Sequence, residues 1–145
     1  MEWPVTGAGE TPHELVNPAS LAPPVGYSHA VVAAPGRQVF LGGQAGHGPD
    51  GSLPEGGLVE QFDAACANVA AALRAAGGRP GHIVSMQIFV TDAGEYRANL
   101  GPIGDAWRRH FGRHFPATGL FEVRGLFDPR AMVELMAMAV VPPGG

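Results

Sequence analysis

At 145 residues the chain has the size of one domain with one ordinary core. Nine Lys and Arg against thirteen Asp and Glu give a formal charge of -4, which leaves no basic stripe for a phosphate backbone and excludes nucleic acid as an expected partner. No apolar run reaches the ~18 residues of a membrane span, and the single cysteine, Cys66, excludes a disulfide within the chain. With Glu2, Pro4 and Glu10 where a signal segment would need a basic and then an apolar run, a soluble, cytoplasmic protein is expected.

Residues 1–26 carry five prolines and few periodic apolar positions, and are predicted to be an irregular arm ahead of a domain over 27–145. The runs His29 to Ala34 and Gln38 to Gly43, separated by Pro35-Gly36, read as a hairpin. The glycine-rich stretch Gln44 to Gly57 reads as an exposed loop. From Leu58 to Ala76 the apolar positions Phe62, Cys66, Val69 and Leu73 recur every three to four residues, which predicts a helix stopped by Gly77-Gly78. His82 to Thr91 alternates as a half-buried strand does. A second helix is expected from about Gly94 to Phe111, broken or kinked near Gly101-Pro102 because proline cannot donate to the preceding turn. Strands over Thr118 to Arg124 and Ala131 to Val141 complete the order β-β-α-β-α-β-β, an α+β single domain with two helices on one face of a mixed sheet.

The last strand holds one acid, Glu134, among side chains that are all otherwise apolar from Ala131 to Val141. Alternation places Glu134 on one face with Met132, Met136, Met138 and Val140, while Val133, Leu135, Ala137 and Ala139 fill the other. The domain's own helices can cover one face; a chain of this length has little left for the second, which suggests another subunit. A carboxylate at that boundary is either paired with a donor or held at a raised pKa for use, since an unpaired buried acid costs several kcal/mol.

Other candidates carry less. His110 and His114 are four apart, but Gly112 and Pro116 interrupt a helix there and Arg108, Arg109 and Arg113 would repel a cation, so no metal is expected. Gly42-Gly43 is not a dinucleotide fingerprint, and Ser28, Ser85 and Cys66 lack the setting of a nucleophile. Tyr27 offers a phenol after a Pro-Pro-Val-Gly turn, either as a site donor or as an interface residue. Arg108 and Arg109 read as a solvated helix face.

Taken in order, Gly26-Tyr27-Ser28-His29-Ala30, Val39 to Gln44, Gln61, Asn68, Leu73, Ala76-Gly77, Val84 to Asp92, Phe115-Pro116-Ala117 and Val133-Glu134-Leu135 resemble the Rid family, the reactive intermediate deaminases or YjgF-like proteins, over about Tyr27 to Val141. The resemblance implies a chorismate-mutase-like fold and a homotrimer with small-molecule clefts between subunits. It implies hydrolysis of an imine, an enamine or a related C-N bond without a cofactor, with Glu134 as the catalytic carboxylate and Tyr27, Gly42, Gly43 and Thr118 in the binding cleft. The chain departs from the family at two of these positions: Gly42 replaces a serine, and Thr118 replaces the arginine that binds the substrate carboxylate. A guanidinium bond contributes about 1.5 to 3 kcal/mol where a hydroxyl gives less, so the substrate is expected not to be a free 2-imino acid. Arg124 shares the face of Thr118 but lies roughly 20 Å along the strand, and Arg130 is in the turn before the last strand. The other reading is a non-catalytic trimer that binds a metabolite or a protein, with Glu134 anchoring the interface and Thr118 serving only as a strand former.

Overall fold

The computed structural model describes residues 10–144, so the expected irregular tip of the arm lies outside the described residues. The elements are β1 (Glu14–Val16), β2 (Ala30–Val32), β3 (Arg37–Phe40), α1 (Leu58–Ala75), β4 (Ile83–Val90, after a 3-10 turn over Pro80–His82), α2 (Ala93–Ala98), α3 (Leu100–Phe111), β5 (Ala117–Glu122) and β6 (Val133–Val141). Four of the strands form a mixed sheet in the order β3-β6-β4-β5. The β4–β5 pair is parallel, reached by the α2–α3 crossover, and the other pairs are antiparallel.

Both long helices pack on one face of this sheet. α1 turns Phe62, Cys66, Val69 and Leu73 onto Met86, Ile88, Leu135 and Ala137, and α3 adds Ile103, Trp107 and Phe111. Each is buried, and the three-to-four spacing that predicted α1 is the stripe that makes this core. Cys66 belongs to it; burial pushes its thiol far above the usual range, so it serves as a small apolar group.

Two expectations are corrected. The hairpin across Pro35-Gly36 does not form: β2 pairs with β1 in a separate two-stranded sheet, while β3 pairs with β6. A side chain on Gly36 would run into the backbone of Val141 and lie 2.9 Å from the Pro142 nitrogen, so this turn threads the chain past the end of β6 instead of folding it back on β2. The arm is also less irregular than expected, because β1 lies within it. The break in the second helix falls at Asn99, between α2 and α3, which leaves Pro102 in the first turn of α3. Its missing N–H has no intrahelical partner there, so the helix continues undisturbed.

Candidate functional site

Glu134 lies one residue into β6, opposite Phe89 of β4. Buried Gln61 of α1 fixes the start of that strand: its amide donates to the Arg130 carbonyl at 3.2 Å and its oxygen accepts from the Met132 N–H at 2.8 Å. Across the strand, the Leu41 N–H donates to the Ala137 carbonyl, and Gln44 exchanges both backbone bonds with Leu135 at 2.7 and 2.8 Å. Between the pairs Phe40–Met138 and Gln44–Leu135, three residues on one side oppose two on the other, so Gly42-Gly43 forms a bulge beside β6. Asn68 of α1 holds the following loop by donating to the Ala45 and His47 carbonyls at 2.8 and 2.9 Å.

The Glu134 carboxylate lies against Gly43, where any side chain would overlap it. The acid is half-buried, and among the described residues no side chain or backbone group makes a hydrogen bond or ion pair with it. Glu134 is on the face of the sheet away from the helices, together with Met136 and Met138, and with Phe40 and Phe89 from the neighbouring strands.

Tyr27 and Thr118 belong to a second locus. The Ser28 N–H donates to the Pro116 carbonyl at 3.1 Å and its hydroxyl to the Phe115 carbonyl at 2.7 Å, which docks the Tyr27 segment on the start of β5. Tyr27 then stands edge-on to His29 and borders a cleft of about 670 Å³ with Thr118, Ile103, Trp107, Phe115 and Arg108. Thr118 pairs with fully buried Met86, which places it on the helix side of the sheet. Its hydroxyl donates to the Pro116 carbonyl at 2.8 Å. Tyr96, on the cleft wall, remains a neutral phenol, its pKa pushed up to about 12 by burial.

Within one chain the expected site residues therefore form two groups, Glu134 with Gly42-Gly43 on one face of the sheet and Tyr27 with Thr118 on the other. The two histidines weighed as metal ligands are turned to different partners: His110 meets Asp63 at 2.8 Å and buried His114 donates to the Ile83 carbonyl at 2.7 Å. Arg109 also pairs with Asp63, as an exposed helix-face arginine does. Arg130 is held by Asp128 at 2.8 Å. Arg108, read from the sequence as part of a solvated face, is exposed as expected and also borders the cleft. The signal for it was its place next to inward-facing Trp107 and four residues after Gly104.

The model of the family described as Endoribonuclease L-PSP matches residues 17–141. A 2-iminobutanoate/2-iminopropanoate deaminase of Capra hircus is 32% identical over 127 residues, 87% of this chain and 85% of that protein. The RutC family protein UK114 of Drosophila melanogaster is 32% identical over 129 residues, 88% of each chain. The crystal structure of YyfB from Yersinia pestis, a Rid-family protein of unknown function, superposes with a TM-score of 0.80 at 29% identity, covering 89% of this chain and 98% of that one.

Proposed function

We propose, from the premise that this chain belongs to the Rid (YjgF-like) family, that it acts as a homotrimer which hydrolyses the C-N bond of an imine or enamine in clefts between subunits. The observation that carries this reading is the Glu134 carboxylate, half-buried beside a bulge glycine and without a partner among the described residues. An acid that anchored its own fold would have a donor.

Glu134 takes one proton from water as the oxygen adds to the imine carbon and passes it to the nitrogen, giving a carbinolamine. The remaining hydroxyl proton then moves through the same carboxylate to the nitrogen as the C-N bond breaks, giving a carbonyl compound and ammonia. This general-base role is worth about 10² to 10⁴ in rate. Glu134 and the Tyr27–Thr118 cleft lie on opposite faces of one sheet, so a cleft containing both takes the acid from one copy and the wall from the next. Thr118 spends its hydroxyl on the Pro116 carbonyl, so nothing at that position holds a carboxylate next to the reacting carbon. The reacting end of the substrate is therefore uncharged. The charge of -4 and the engagement of Arg109 by Asp63 give no support to an RNA substrate.

The test compares ammonia release from 2-iminopropionate and from its amide. Wild type is expected to favour the amide. Thr118→Arg should shift the preference to the acid, and Glu134→Gln should lose turnover on both by about 10² or more while light scattering still reports a trimer. A Glu134→Gln protein that keeps its turnover, or that loses the trimer, would mean that the acid anchors an interface.

A further inference from the structure

The cleft beside Tyr27 is built for more than an uncharged reacting group. Its volume of about 670 Å³ falls within the roughly 300 to 1,000 Å³ of small-molecule sites. Its walls are apolar and aromatic: Ile88, Leu100, Ile103, Trp107, Phe115 and Leu120. Leu100 and Leu120 are left exposed at its edge. Among the described residues that line it, one carries a formal charge, Arg108 of α3.

Two features leave that guanidinium available to a ligand. Gly104 sits one turn earlier on the same helix face, and the guanidinium nitrogens lie 3.3 and 3.4 Å from where its Cβ would be, so a missing side chain makes room for the charged group over the helix. The partner of Arg108 is Asp105 at 2.8 Å, an i,i+3 pair with both side chains largely exposed. Such exposed pairs hold their partners only weakly. A ligand carboxylate against the apolar wall, where screening by water is weaker, is the stronger partner.

We propose that Arg108 is the anion anchor of this cleft, and that the ligand is an apolar, preferably aromatic, body carrying one carboxylate at the end remote from its reacting carbon. The position of the reacting carbon rests on the function proposed above; the anion site does not. The charge is thereby moved from the strand, where Thr118 stands, to the helix wall.

Calorimetric titration of the intact protein with 3-phenylpropionate and with 3-phenylpropionamide separates the charge from the apolar body. The acid is expected to bind about tenfold or more tightly than the amide, the difference between a charge-assisted and a neutral hydrogen bond, and to weaken as salt is added. Arg108→Gln should bring the two to parity, and Arg108→Lys should keep part of the preference. Equal binding of acid and amide by wild type, binding of neither, or a preference that survives Arg108→Gln would overturn the assignment. Because the measurement is of binding, the two readings fail separately. A preserved preference without ammonia release from any imine sinks the reaction alone, and turnover without the preference sinks the anchor alone.

Discussion

Glu134 and Gly43 depend on each other. The bulge at Gly42-Gly43 brings the backbone so close to β6 that a methyl group on residue 43 would occupy the space of the Glu134 carboxylate. Gly43 has no left-handed backbone angle to preserve, so Gly43→Ala acts through that overlap and not through backbone strain. The variant is expected to fold, with its thermal midpoint within a few degrees of wild type, and to lose about tenfold or more of its ammonia release as the acid is turned away. Unchanged turnover in Gly43→Ala would show that the carboxylate does not work from where it stands. Glu134 itself was legible in the sequence, because one acid in an eleven-residue apolar run needs a reason. The bulge was not. A one-residue slip between two strands depends on a register set almost a hundred residues away, and Gly-Gly reads locally as a strand end. Thr118 was legible only through the family resemblance, and the side of the sheet it faces follows from its pairing with Met86.

At the scale of elements, long periodic segments were read correctly, while the short strands β2 and β3 were located but assigned the wrong partners. α1 and β6 each have enough residues for a pattern to be counted, and the break expected near Gly101-Pro102 falls at Asn99, which leaves the proline in the first turn of α3. β2 and β3 have three and four residues, too few for alternation to name a partner, and the partner is decided by distant contacts. Buried histidines supply several of these. The His13 Nδ1 accepts from the Ala34 N–H at 3.0 Å while its Nε2 donates to the His82 carbonyl at 3.0 Å, bracing β1 and the end of β2 against the approach to β4. His114 does the same from the end of α3, its Nε2 donating to the Ile83 carbonyl while its buried Nδ1 has no partner among the described residues. Burial lowers the His114 pKa below its usual 6.5, against the raising effects of the Ile83 carbonyl and Glu10, with His13 and Arg79 adding to the lowering. The folded state then binds fewer protons than the unfolded chain. Its contribution to stability is complete above about pH 6.5 and is lost as the pH falls from there through the lowered value. Urea midpoints measured between about pH 7.5 and 5 should decline for wild type. His114→Gln should start lower and decline less; an equal slope in the two proteins would remove His114 as the source.

At the scale of the whole molecule, the face of the sheet opposite the helices decides whether the chain is complete by itself. Phe40 is 70% exposed, Phe121 47% and Met136 44%, and Phe121 stacks on Phe89 beside Glu134 with ring centroids 5.7 Å apart. Burying such side chains is worth about 1.5 to 3 kcal/mol each, so a second copy gains several kcal/mol by covering this face before any polar contact is counted. The acid that the proposed reaction needs stands on the same face. Assembly and catalysis should therefore fail together when the face is spoiled without harm to the core. Met136 offers the place: it lies opposite Gln87 in the middle of the sheet and is exposed in the single chain, so Met136→Arg leaves the helix-side core untouched. An unpaired charge enclosed at an interface costs several kcal/mol. The variant is expected to keep its far-ultraviolet circular dichroism, to run as a monomer by light scattering at concentrations where wild type is expected to assemble, and to release no ammonia. A monomeric Met136→Arg protein with full turnover would put the whole site within one chain and refute the two-copy cleft.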